Sequence, residues 1–223
     1  MKTSVCLISL CLIVLLVGAG QCATESHSYD IPLDRMSWTQ DIVLPQFNAA
    51  LGTLNSINLI LNGFIVGSIK FENTSTSSPN TPTLTINSLL TLKHPGGSTL
   101  LQANPIITHT ETVSIYDGTL DYGGASGRTY NSLNASDEVS LTILPTSSDF
   151  SMFMGTGGLL FPVSSSGTSR VSGGGNLAAM FLCDAGASGT VVYNYDPVPE
   201  PSSMIAMLVG LTGLVGFAVR RRK

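Results

Sequence analysis

Between residues 54 and 73 apolar and polar side chains take turns. Ile57, Leu59 and Leu61 alternate with Asn58, Ile60 and Asn62, and after Asn62-Gly63 the run resumes through Ile65, Gly67, Ile69 and Phe71. A period of two puts successive side chains on opposite faces of a strand. Asn and Gly both accept the positive φ of a tight turn, so the spacing predicts two antiparallel strands joined at Asn62-Gly63. After a Ser, Thr and Pro-rich loop at residues 74–82, Leu84, Ile86, Ser88, Leu90 and Leu92 mark every second position of another strand. Further strands are expected at residues 106–116, 139–144 and 189–195, each rich in β-branched or aromatic residues. Short helices are expected at residues 48–54 and 176–183, the second equally readable as a strand. Gly and Ser-rich stretches at residues 155–158 and 164–176 read as turns or mobile loops. Many short strands with frequent turn signals predict an all-β fold, an antiparallel β-sandwich, with a jelly-roll-like arrangement among its variants.

The alternation stops at both ends of the chain, where unbroken apolar runs replace it. At the start, Lys2 precedes an apolar run at residues 5–17 and then Gly18, Ala19 and Gly20. Charge, apolar core and small residues in that order form a secretory signal peptide, read here as residues 1–23, with cleavage after Cys22 or Ala23. At the other end, Val198-Pro199-Glu200-Pro201 leads into an uncharged stretch at residues 202–219, and Arg220, Arg221, Arg222 and Lys223 close the chain. That stretch holds 18 residues, close to the minimum of about 17 that a transmembrane helix needs. The four cations act as the membrane stop on the cytoplasmic side. Pro199 and Pro201 fix φ and lack an amide donor, so the tetrapeptide is expected to be extended and accessible just outside the bilayer.

Setting both ends aside leaves an exported domain at residues 24–196, a length suited to one domain. It holds five basic residues (Arg35, Lys70, Lys93, Arg128, Arg170) against thirteen acidic ones, a formal charge of −8. An acidic, sparsely charged surface excludes nucleic acid as a partner, since phosphate contacts require clustered cations. Of the four cysteines, Cys6, Cys11 and Cys22 belong to the signal region. Cys183 alone remains in the domain, where it reads as a small buried apolar residue.

The tripartite tail resembles the PEP-CTERM sorting signal of Gram-negative bacteria: Val198, Pro199, Glu200 and Pro201 as the motif, residues 202–219 as the membrane segment, and Arg220 to Lys223 as the basic cluster. The resemblance implies the Sec translocon and signal peptidase at export, and then an exosortase that sorts the protein to the cell surface or an extracellular polysaccharide matrix. Several stretches of the exported domain are similar to the choice-of-anchor E family. They are Leu44-Pro45-Gln46-Phe47-Asn48 with Leu51-Gly52-Thr53-Leu54, the strand at residues 57–63, and Tyr116-Asp117-Gly118-Thr119-Leu120-Asp121-Tyr122-Gly123-Gly124 with Ser126-Gly127. Gly174-Gly175-Asn176-Leu177 and Val191-Val192-Tyr193-Asn194-Tyr195 complete the set. This second resemblance implies an all-β surface domain without an assigned activity.

Catalytic signatures are not evident in the sequence. His27, His94 and His109 lack the spacing of a zinc site, Gly124-Ala125-Ser126-Gly127-Arg128 fails the last position of a nucleophile elbow, and no pair of acids is singled out for glycoside hydrolysis. Asp117 and Asp121 are the calcium candidates, because two carboxylates and nearby carbonyls can supply hard oxygen ligands, with Asp137 or Glu138 as distant partners. Asp-Gly is also ordinary turn chemistry. Trp38 is expected in the core. The expectation is therefore a non-enzymatic protein with a structural or adhesive role, whose partners are envelope or exopolysaccharide components and, through residues 202–219, the membrane. A carbohydrate-binding module, with or without calcium, is the alternative, and a matrix-polysaccharide hydrolase the third.

Overall fold

The computed structural model describes residues 22–198 and, in the tail, residues 209–212, 214, 217, 220 and 221. The signal peptide at residues 1–23 thus lies almost wholly outside the described residues, as do Pro199, Glu200, Pro201, Arg222, Lys223 and most of residues 202–219.

Nine strands build the domain: β1 (Ala23–Arg35), β2 (Trp38–Pro45), β3 (Gly52–Asn73), β4 (Thr83–Lys93), β5 (Thr99–Ala103), β6 (Ile106–Thr110), β7 (Gly127–Ile143), β8 (Gly158–Ser172) and β9 (Leu177–Pro197). They form two antiparallel sheets. One has the order β1-β9-β3-β7; the other has β2-β8-β4-β5, with β6 pairing the first half of β4. The inward positions of the two sheets meet in a continuous apolar core that includes Leu59, Leu61, Leu90, Leu92, Phe161, Val163 and Val191. A second cluster around Ile65, Ile69, Phe71, Leu84 and Ile86 extends it toward the other end. The expected sandwich is therefore present, assembled from the alternation seen along the chain.

The expected hairpin at Asn62-Gly63 is absent. Residues 52–73 run as one 22-residue strand, with Gly63 paired to Asp137 on one side and to Ala187 on the other. Gly63 is there for thickness, not for a turn. A Cβ on it would lie 2.7 Å from Leu90 Cδ1 and 3.1 Å from Ala103 Cβ, so its lack of side chain lets the opposite sheet close down. The expected loop at residues 164–176 is also mostly strand, because β8 continues to Ser172. Ser165 is buried, and its hydroxyl meets that of Ser88 at 2.9 Å. The turn is confined to the residues after it, where Gly173, Gly174 and Asn176 have positive φ.

The remaining expectations fall closer to the structure. The helix expected at residues 48–54 shrinks to a 3₁₀ turn, Ala49–Leu51, whose Ala50 N–H donates to Asn48 Oδ1 at 3.0 Å. Residues 177–183 are strand, the second of the two readings, with Asn176 in the turn before it. The strand expected at residues 106–116 stops at Thr110 and gives way to the long loop 111–126. Trp38 is half-buried against the core and donates its indole N–H to Ala185 O at 3.0 Å. Cys183 is buried, and burial, with a smaller contribution from Asp184, pushes its thiol up to about 11.

Candidate functional site

The pairing register sorts the loops onto two ends of the sandwich. Strand β3 spans about 70 Å at the usual rise per residue, so the two ends are far apart. At one end β9 finishes against the start of β3: Thr53 pairs with Asp196, and Gly52 with Pro197. A Cβ on Gly52 would lie 2.0 Å from the Asp196 carbonyl oxygen, so glycine permits this approach. One residue later the Val198 N–H donates to Leu51 O at 3.0 Å. The motif residues Pro199, Glu200 and Pro201 therefore begin immediately where the last hydrogen bond of the fold ends. The start of β1 is at the same place, with Ala23 paired to Tyr195. The first strand thus starts at the end of the sandwich where the last one finishes.

An aromatic plug closes this end. Phe47 lies 5.0 Å from the Tyr195 ring and 5.7 Å from Tyr193, and Phe153 stacks on Phe161 at 5.6 Å. Phe47, Phe153, Phe161 and Tyr193 are fully buried. Tyr193 donates its hydroxyl to Pro45 O at 2.5 Å, and its phenol is held well above the ordinary range by burial and then by the Glu25 charge. Residues 44–48 and 191–195, far apart in the chain, are brought together here.

The opposite end carries the 111–126 loop. Asp117 Oδ1 accepts the Thr119 N–H at 3.0 Å, and Asp121 Oδ1 accepts the Gly123 N–H at 2.9 Å. Each aspartate thereby shapes its own turn. The loop is stitched to the sheets by Asp117 N–H on Ser126 Oγ, Tyr116 N–H on Ser75 O and Asn73 Nδ2 on Ser114 O. Arg128 donates to Glu111 Oε1 at 2.6 Å, and Tyr130, itself stacked on His109 at 4.2 Å, donates to Glu111 Oε2. The Tyr130 hydrogen bond, followed by that of Arg128, lowers the Glu111 carboxyl below its ordinary value, while burial and Glu111 push Tyr130 up to about 12.

Asp137 and Glu138, the distant partners considered for calcium, pair with Gly63 and Asn62 in the middle of β3. They are well removed from Asp117 and Asp121. The acid beside the loop is one the sequence did not single out: Glu72, fully buried, with both carboxyl oxygens lacking a hydrogen-bond partner. It lies against Gly127, where a Cβ would stand 2.2 Å from Glu72 Oε2 and 2.6 Å from Gly123 N. Its position on β3, on the face opposite Phe71, was readable from the alternation, but the loop covering it was not. No group of three or more His, Cys, Asp or Glu is gathered for a metal among the described residues. The other histidines serve locally: His94 Nδ1 accepts the Gly96 N–H at 2.8 Å, and His27 Nε2 meets Glu25 Oε1 at 3.0 Å.

Comparison with known proteins bears on the tail. Residues 197–223 match the model of the PEP-CTERM protein-sorting motif. The chain carries a PEP-CTERM sorting signal. The match covers Val198 to Pro201 and the basic cluster, whose described members are Arg220 and Arg221, the latter lying 5.3 Å over the Phe217 ring. No helix among the described residues is long and apolar enough to cross a membrane. No curated protein matches the chain. Among solved structures, one of the infectious bursal disease virus Gx strain is 13% identical over 80% of this chain and 42% of its own, with a TM-score of 0.18. A crystal structure of the infectious bursal disease virus VP2 subviral particle is 13% identical over 89% of this chain and 50% of its own, with a TM-score of 0.19. The chain spans half or less of those chains, and scores this low carry no argument.

Proposed function

We propose that this protein is an exported component of the cell surface or extracellular matrix, sorted by an exosortase-type enzyme through residues 197–223, and that its β-sandwich is a non-enzymatic structural or adhesive module. The observation that carries the reading is the PEP-CTERM motif joined without slack to the end of β9. In this reading Pro199, Glu200 and Pro201 are the recognition elements, residues 202–219 hold the precursor in the bilayer, and Arg220 to Lys223 fix its orientation. The structural role is supported by how the perturbed groups are used: Glu111, Tyr130 and Tyr193 are committed to bonds within the fold.

The test is localisation in a host that makes an exosortase. The intact chain is expected at the surface or in the matrix, and the triple variant Pro199→Ala, Glu200→Ala, Pro201→Ala in the membrane fraction, unprocessed. Identical surface display of both would refute sorting through the motif. A glycan array addresses the carbohydrate-binding alternative, and turnover of a polysaccharide panel addresses the hydrolase.

A further inference from the structure

The tail-bearing end of the sandwich is ringed by large apolar side chains that face solvent. Val43 is 60% exposed, Leu160 57%, Leu144 52% and Val198 59%, with Leu51 and Met154 beside them. The register places them together. Val43 pairs with Leu160 two residues before β2 ends at Pro45, and Pro45 is bonded to Tyr193. Leu144 follows Ile143, which pairs with Ile57, itself the partner of Tyr193. Met154 follows Phe153 and bridges to Phe47, and Leu51 bonds to Val198. These side chains come from separate parts of the sequence. Exposed apolar residues are ordinary on a soluble surface, and Ile115, Leu120, Met180 and Leu182 toward the other end are 46–53% exposed, so what distinguishes this end is the segment that leaves it.

The chain itself says what lies against that end. Only five residues, 199–203, separate Val198 from Met204, where the apolar run begins. A fully extended link of that length reaches at most about 20 Å. The precursor's bilayer is therefore tethered to the ring within about twice the spacing of two stacked sheets. We infer that the apolar ring at the β9 end is a lipid-docking surface, which seats the folded domain upright on the bilayer and projects the 111–126 loop to the far side. The inference rests on the sorting reading above, because it needs residues 202–219 to be in the membrane.

Site-specific photocrosslinking of the full chain tests it. The variants Leu144→benzoylphenylalanine and Leu160→benzoylphenylalanine probe the ring. Leu120→benzoylphenylalanine, in the distal loop and of similar exposure (53%), is the control. Each is integrated into vesicles of phosphatidylethanolamine and phosphatidylglycerol and irradiated, and adducts are identified by mass. Lipid adducts at Leu144 and Leu160 at several-fold the yield at Leu120 are expected. Equal yields at all three positions, or protein–protein adducts in place of lipid ones at Leu144 and Leu160, would overturn the docking surface while leaving the sorting reading intact. A chain that is extracted from the vesicles by carbonate would overturn the sorting reading, and the docking surface with it.

Discussion

Replacing Phe47 by alanine tests whether the tail-bearing end is a packed part of the core. Phe47 is fully buried between Tyr193 and Tyr195, and its backbone is held by Phe47 N–H to Phe153 O at 2.7 Å and Gly155 N–H to Phe47 O at 2.9 Å. Those backbone bonds keep the neighbouring turns from collapsing into the space, so most of the cavity should persist. Removal of a buried phenylalanine costs about 3–5 kcal/mol, transfer and cavity together, and the two tilted ring contacts place this site toward the upper half of that range, about 4–5 kcal/mol. Phe47→Leu keeps most of the volume and should cost about 1–1.5 kcal/mol. The assay is urea unfolding of residues 24–198, followed by fluorescence of Trp38 and by far-UV circular dichroism, with coincident transitions required before a free energy is extracted. For a domain of this size the alanine variant should melt roughly 10–15 °C lower. A loss below about 1 kcal/mol, similar to that of the exposed Leu160→Ala, would mean that the end of β9 is not packed as described.

Three further outcomes are expected from the same geometry. Glu72→Met removes two buried acceptors that have no partner while keeping the volume, and it should stabilise the domain by about 1–3 kcal/mol in the same unfolding assay. If instead millimolar calcium raises the melting temperature of the wild type and Glu72→Met abolishes that rise, the carboxyl works with Asp117 and Asp121 on a cation. Glu111 is held below its ordinary value of 4.5 in the folded state. Its contribution is therefore fully present above that value and is lost as pH falls through the lower folded one, so the stability gap between wild type and Glu111→Gln should close on acidification below about pH 4. Parallel curves would refute the pairing with Tyr130 and Arg128. Cys183, raised to about 11, should be inert to a disulfide reagent at pH 8 in the folded domain and should react fully in urea. Rapid reaction without denaturant would contradict its burial.

The parts of the fold that are legible in the sequence are those where burial is one-sided. Along β4 and the two halves of β3, the inward residues are apolar and the outward ones mostly polar, and period two follows directly. Asn62-Gly63 misleads because glycine serves two physical ends, positive φ and close approach, and only the opposing Leu90 and Ala103 show which applies. Residues 164–172 mislead because β8 packs small hydroxylated side chains against its neighbours, as Ser165 does against Ser88, and a serine run in a strand looks like a serine run in a loop. Strand β1 gives no clear apolar period for a related reason. It is an edge strand whose inward positions, Glu25, His27 and Tyr29, are only half-buried and carry polar tips, so its alternation is not one of hydrophobicity. The sorting motif is fully legible because it is a linear signal in chain order. The buried Glu72 is not, because its cover comes from a loop some 50 residues later, which no local pattern announces.

Export and sorting leave their mark on the two ends of the chain. Intact-mass analysis of the protein recovered from the surface of an exosortase-bearing host reads both ends directly. The expected species has lost residues 1–22 or 1–23 and, through cleavage within or beside residues 198–201, the basic cluster Arg220 to Lys223. Recovery of the full 223-residue chain from the soluble cell interior would contradict export and sorting alike.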